Sequence, residues 1–135
     1  MASYLLDTNH LSPLVTLGHP LRDKVIKHLR QGDHFGIALP CLTELLYGIA
    51  IVPRSRQNLE EWHRLQTAFY VYDVYRQDAE EAAALRVQLR RQGWQLETVD
   101  ALIATVALRY DLVLLTTDRD FQAIPGLPQE NWLTP

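Results

Sequence analysis

The sequence predicts one α/β domain on a mostly parallel, twisted sheet of four or five strands flanked by helices. Two observations carry that expectation. Short apolar runs alternate with longer segments whose apolar residues recur at helical spacing, the pattern of successive βα units. The run Leu112-Val113-Leu114-Leu115 is apolar without alternation, as in a parallel strand covered on both faces. A chain of 135 residues is expected to form one domain over 1–135, and burying about two-thirds of its unfolded surface supplies a core without staples.

Tyr4–Asp7 reads as the first strand, and a short helix follows from Asn9 or Ser12, with Pro13 tolerated in its first turn. Pro20–Arg30 is a helix carrying Leu21, Val25, Ile26 and Leu29, ended by Gln31-Gly32-Asp33. His34–Leu39 is the second strand. Pro40 opens a helix with Leu42, Leu45, Leu46, Ile49 and Ile51 on its apolar face; Gly48 marks close packing or a weak point, and Pro53 closes it. Arg54–Ala68 reads as a helix that turns Leu59, Trp62, Leu65 and Phe69 inward. Tyr70–Val74 is the third strand. Gln77–Arg91 is a helix with Leu85, Val87 and Leu89, stopped by Gly93, and Thr98–Arg109 is another with Leu102, Ile103, Val106 and Ala107. Leu112–Leu115 and a short closing strand at Asn131-Trp132-Leu133 complete the sheet.

Composition narrows the function classes. Hydrophobic residues make up 47% and charged residues 21%, as in a soluble globular protein. The single cysteine, Cys41, excludes an internal disulfide and a cysteine-rich metal site, so a reducing compartment, the cytoplasm, is expected. No apolar run approaches the ~20 residues of a membrane span, and too few residues precede Leu5 for a leader, so no membrane association is expected. A net charge of −3 argues against a protein that coats nucleic acid, but not against an enzyme that meets it at a local site. His10, His19, His28, His34 and His63 show no zinc-like spacing and read as surface residues.

Four acids stand in unusual places. Asp7 and Asp118 each follow an apolar strand. Glu44 lies early in the helix PCLTELLYG, and Asp100 lies in the first turn of ETVDALIATVA. Singly, each has an ordinary reading: a carboxylate near a helix N-terminus gains about 0.3–1 kcal/mol from the dipole, and aspartates cap turns. Together they share the edge of a parallel sheet where function gathers. Two carboxylates ~4 Å apart repel by about 4 kcal/mol at an effective dielectric of 20. Four in one notch must share protons or hold a cation, and a hard ion such as Mg2+ or Mn2+ suits an all-oxygen pocket.

LLDTN, TELLYG, ETVDALIATVAL, LVLLTTDRDF and IPGLPQENW, in that order over nearly the whole chain, resemble the PIN domain. More closely they resemble the VapC-type toxin ribonucleases of prokaryotic toxin–antitoxin pairs. The resemblance implies a PIN-like fold whose acid cluster binds Mg2+ or Mn2+ and cleaves RNA, with 5′-phosphate and 3′-hydroxyl products. It implies Asp7, Glu44, Asp100 and Asp118 as catalytic, metal-holding residues, Asp7 being the central one. Thr8, Asn9, Thr116 and Thr117 then orient carboxylates or a water, and Asp120 is an extra acid. The segment Leu96-Glu97-Thr98-Val99 departs from the more polar or histidine-containing turn common in the family; Glu97 either adds charge or, the favoured reading, merely sits in the helix's first turn.

The family resemblance further implies a small antitoxin that covers the acidic pocket, and a homodimer. The apolar faces at Leu45–Ile51 and Ala82–Leu89 are candidate interfaces, although core burial explains them nearly as well. Arg86 and Arg90 on one helix, with Arg54 and Arg56 in a turn, are candidate RNA contacts, the plainer reading being a solvated face. Tyr4, Tyr47, Trp62 and Trp94 read as core or interface. Single-stranded or looped RNA is the expected substrate because its bases can be reached. Phosphoacceptor receiver domains and haloacid-dehalogenase-like phosphatases also carry strand-end acids. Both need a late lysine, and none follows Lys27; Asn9 also stands where such phosphatases need a second aspartate. The remaining alternative is a non-catalytic PIN-like scaffold that binds RNA or protein.

Overall fold

Apolar strands alternate with amphipathic helices through the computed structural model, which describes residues 1–133. The elements are β1 (Ser3–Leu6), α1 (Thr8–Leu11), α2 (Pro20–Arg30), β2 (His34–Ala38), α3 (Leu39–Ile51), α4 (Ser55–Leu65), β3 (Phe69–Tyr72), α5 (Arg76–Arg91), α6 (Thr98–Arg109), β4 (Val113–Leu115) and β5 (Gln129–Glu130). They form a single α/β domain. All five strands are parallel, in the order β3-β2-β1-β4-β5. Leu5, Leu6, Leu114 and Leu115 are fully buried. Successive strand residues point to opposite faces, so helices must cover both faces of the sheet centre.

Helix ends follow local rules. Pro20 occupies the first turn of α2, where its missing N–H is no loss. Helix α6 stops where Asp111 adopts a positive φ of 55°, with the Leu112 N–H returning to the Ala107 carbonyl at 2.9 Å. That left-handed stop turns the chain directly into β4. Gly36 in β2 has a different cause. A Cβ there would overlap the Tyr72 ring and lie 3.0 Å from the Tyr70 carbonyl oxygen, so only glycine lets β3 pair closely.

Several local expectations are corrected. Asp7 leaves the strand to cap α1, which starts at Thr8 rather than Asn9 or Ser12. The third strand begins at Phe69 and ends at Tyr72, ahead of Asp73. The closing strand is Gln129–Glu130 and not Asn131–Leu133, because Leu114 and Thr116 donate to the Pro128 and Glu130 carbonyls at 2.9 and 3.0 Å. Leu59, expected inward, is exposed, and so are Leu46, Ile51 and Val87 on the apolar faces that were open to core or interface. Each lies off the narrow stripe its helix buries: Leu45 and Ile49 on α3, Trp62 on α4, Ala82 and Leu89 on α5. Tyr47 is exposed as well, whereas Tyr4 and Trp62 are buried. Among the described residues, no helix is long and apolar enough to cross a membrane.

Candidate active site

Strand order delivers the acids. β1 lies between β2 and β4. Asp7 follows β1 and Asp118 lies shortly beyond β4, while Glu44 sits in the second turn of α3, the helix that continues from β2. The Asp7 N–H donates to the Leu115 carbonyl at 3.0 Å, so the two strand exits leave the sheet side by side. Asp100 enters from the first turn of α6, whose N-cap is Glu97. Glu97 is exposed and makes no side-chain cap bond.

Asp7 is the deepest of these acids, at 7% exposure. Its Oδ1 accepts from the Thr8 N–H at 2.8 Å, and its Oδ2 accepts from the Thr116 hydroxyl at 2.7 Å and the Asn9 amide at 3.2 Å. Oδ1 accepts one bond and keeps a lone pair for another partner. The Thr8 hydroxyl donates to Glu44 Oε2 at 2.8 Å. The Thr116 hydroxyl accepts from the Asp118 N–H at 3.0 Å, Asp118 Oδ1 accepts from the Asp120 N–H at 2.9 Å, and the Thr117 N–H donates to Asn9 Oδ1 at 3.2 Å. A carboxylate oxygen from each of Asp100, Asp118 and Asp120 lies within 4.8 Å of the other two. Asp120, expected as an extra acid, joins Asp100 and Asp118 in this trio, and Asp7 lies close enough for its charge to act on Asp100.

The electrostatics express the crowding. Burial, then the charges of Asp7, Asp118, Asp120 and Glu44, push the Asp100 carboxyl up to about 6. Burial also raises Asp7, with Asp118 and Glu44 adding to the rise, while the bonds from Thr116 and Thr8 pull it down. Cys41, buried beside the site, is pushed up to about 12, first by burial and then by Asp7, so its thiol stays protonated. Among the described residues the ion pairs run elsewhere: Arg22 and Arg64 to Glu61, His28 to Asp33, Arg56 to Glu60, Arg76 to Glu80 and Arg109 to Asp78. None reaches the five clustered acids. An oxygen-only donor set with raised Asp7 and Asp100 carboxyl pKa values, and no ion-pair partner among the described residues, fits a hard divalent ion.

The arginines divide. Arg86 donates to the Leu96 carbonyl at 2.7 Å and the Thr98 hydroxyl at 3.0 Å, so its guanidinium holds the approach to α6. Arg90 lines a groove of about 620 Å³ with Arg86, Val87, Trp94 and Leu96. Trp94 is partly exposed, and its indole N–H donates to the Asp120 carbonyl at 3.2 Å, so this groove adjoins the acids. Arg54 and Arg56 lie beyond the C-terminal end of α3, which is roughly 10 Å from Glu44 at 1.5 Å per residue. His10 is the residue whose place was misread. Expected on the surface, it is fully buried, and its ring contacts Asn9 and Trp132. Its adjacency to Asn9 was the only local signal.

Carboxylates gathered where the central strands of an all-parallel sheet end define a class: an α/β protein with an acidic, oxygen-donor site. The PIN domain model matches residues 4–127, and the chain belongs to the PIN-domain family. It is 28% identical over 138 residues to a tRNA(fMet)-specific endonuclease VapC of Salmonella typhimurium, covering 98% of this chain and 99% of that protein. It is 28% identical over 133 residues, with the same coverage, to a protein of that name from Shigella flexneri. Among solved structures, it resembles DNA-bound VapBC from Salmonella typhimurium with a TM-score of 0.79 and 28% identity, over 98% of this chain and 99% of that one. VapBC2 from Rickettsia felis, bound to a promoter DNA fragment, gives a TM-score of 0.82 at 24% identity, over 96% and 98% of the two chains.

Proposed function

We propose that residues 1–135 form one nuclease domain: a cytoplasmic Mg2+- or Mn2+-dependent endoribonuclease that hydrolyses RNA phosphodiester bonds, the toxin of a toxin–antitoxin pair. One observation carries this reading: carboxylate oxygens of Asp100, Asp118 and Asp120 lie within 4.8 Å of one another, Asp7 and Glu44 add their charges to Asp100, and among the described residues no ion pair reaches any of the five. The relatives named as VapC endonucleases, matched over 98% of this chain, support it. A bound divalent ion supplies an acidified water and positive charge against the leaving oxygen.

The chain's own residues do the rest. Asp7, Glu44, Asp100 and Asp118 hold the ion, and Asp120 extends the donor set. Thr116 and Asn9 aim Asp7, Thr8 aims Glu44, and Thr117 fixes Asn9. RNA, as a single strand or loop, runs along the groove of Arg90 and Trp94, where a base stacks and a phosphate meets the guanidinium. Arg86 acts there through the ordered Leu96–Thr98 segment. Arg54 and Arg56 serve at most a distal stretch of RNA. Products carry 5′-phosphate and 3′-hydroxyl ends.

A small antitoxin fits the same electrostatics, since a basic side chain in the notch offsets the repulsion a metal offsets. The exposed Leu46, Tyr47 and Ile51 of α3 offer an apolar face for a homodimer. The test is cleavage of end-labelled RNA with Mn2+ by the wild type and by Asp7→Asn. Wild-type cleavage that the variant and EDTA both abolish is expected. RNA binding without cleavage by the wild type would return the scaffold reading.

A further inference from the structure

Among the described residues His10 makes no hydrogen bond to the acids, yet it is fully buried one residue from Asn9. Its Nε2 faces the Trp132 backbone N–H at 3.0 Å, and its Nδ1 faces Asn9 Oδ1 at 2.7 Å. A backbone N–H can only donate, so Nε2 carries no proton, and the neutral ring carries its proton on Nδ1. That N–H donates to Asn9 Oδ1, which also receives the Thr117 N–H at 3.2 Å. Both lone pairs of Oδ1 are then filled. The amide nitrogen of Asn9 must face the other way, to Asp7 Oδ2 at 3.2 Å and, at the long limit of 3.5 Å, to the Thr116 hydroxyl. Asn9 cannot flip without setting two donors against the His10 and Thr117 N–H groups.

Trp132 is itself firmly seated. Lys24 Nζ lies 4.2 Å from its ring centroid, and the His28 and Tyr4 rings stand 4.6 and 4.8 Å away. Its place is fixed by packing and not only by the hydrogen bond.

We propose that His10 is a positioning residue: as the neutral Nδ1–H tautomer it wires the Trp132 segment through Asn9 to Asp7 and holds that carboxylate ready for a cation. The proposal rests on the reading of Asp7 as a metal ligand. The chain of bonds makes the segment after β5, more than 120 residues from Asp7 in sequence, part of the site's support.

Three substitutions separate wiring from packing. His10→Asn places an amide nitrogen where Nδ1 stands and keeps the bond to Asn9. His10→Gln places an amide oxygen where Nε2 stands, keeping the bond from Trp132 and losing the one to Asn9. His10→Phe loses both. Mn2+ affinity, followed by titration without RNA, falls about ten-fold or more in His10→Gln and His10→Phe, as for other residues that support a metal ligand, and stays near wild type in His10→Asn. In cleavage assays the same two variants lose kcat at unchanged KM. Equal loss of thermal stability in all three with unchanged Mn2+ affinity would reduce His10 to packing and overturn the proposal. Nitrogen NMR of the wild type decides it without any variant: the Nδ1–H tautomer is expected from pH 6 to 8, and the Nε2–H tautomer overturns it. A wild type that binds no Mn2+ defeats the nuclease reading, while the tautomer still decides the bond chain.

Discussion

The Thr116 hydroxyl donates to Asp7 Oδ2 at 2.7 Å and accepts from the Asp118 N–H at 3.0 Å, joining acids that follow neighbouring strands through one oxygen atom. Thr116→Val keeps the shape and removes both bonds. A hydrogen bond to a charged group contributes about 1.5–3 kcal/mol. Without it the Asp7 carboxyl titrates higher still, and Asp118 loses its backbone anchor. We expect Mn2+ affinity to drop roughly ten- to a hundred-fold, with cleavage falling in parallel at saturating RNA. Titration calorimetry against the wild type measures the first effect.

Asp120 is exposed, and from its position alone it passes for a turn residue. Its carboxylate nevertheless lies within 4.8 Å of those of Asp100 and Asp118. Asp120→Asn is expected to weaken Mn2+ binding and to lower the Asp100 pKa, because one of the charges that raises it is gone. Carboxyl titration by NMR in the metal-free protein checks the second effect. An unchanged Asp100 would detach Asp120 from the cluster.

Stability should depend on pH in a direction set by the same crowding. Asp100 titrates at about 6 in the folded chain against 3.8 when unperturbed, and Asp7 is raised as well. Groups raised on folding bind more protons in the native state, so metal-free stability falls as pH climbs from about 4 through about 6. Above that window the contribution of Asp100 is lost. Mn2+ binds the deprotonated carboxylates, so adding it restores stability most at pH 7–8 and least at pH 5. Melting temperatures with and without Mn2+ across that range provide the measurement.

Gly36→Ala probes the frame and not the chemistry. The added methyl meets the Tyr72 ring and the Tyr70 carbonyl, so β2 and β3 must separate or the ring must move. Overpacking of this kind costs about 1–3 kcal/mol. Chemical denaturation should show a lower midpoint with an unchanged slope. Glu44 follows β2 into α3, so a modest loss of Mn2+ affinity should accompany it.

Helices announced themselves locally. Pro20–Arg30 and Thr98–Arg109 lie where the sequence places them, because their proline or threonine starts, their apolar spacing and the turn after each are all encoded within a few positions. The oddness of Asp7, Glu44, Asp100 and Asp118 was equally visible, since an acid at the end of an apolar run needs a reason. The closing strand was legible but its place was not: Gln129–Glu130, ahead of the expected Asn131–Leu133, becomes a strand because Leu114 and Thr116 donate to the Pro128 and Glu130 carbonyls. Leu59 misled, and Leu46, Ile51 and Val87 stayed open between core and interface, because apolar character does not say which side of a helix a neighbour covers.

By itself, the sequence determined the α/β alternation, the order of the βα units and the residues able to carry acid chemistry, because periodicity, caps and strand runs are short-range properties. Only the tertiary structure decided that Asp120 joins Asp100 and Asp118, that Thr116 holds Asp7 from 109 residues away, and that His10 is buried beneath Trp132. Those relations depend on which strands pair and on where each chain segment comes to rest. Burial and hydrogen bonding are settled by neighbours in space, and no local pattern names them.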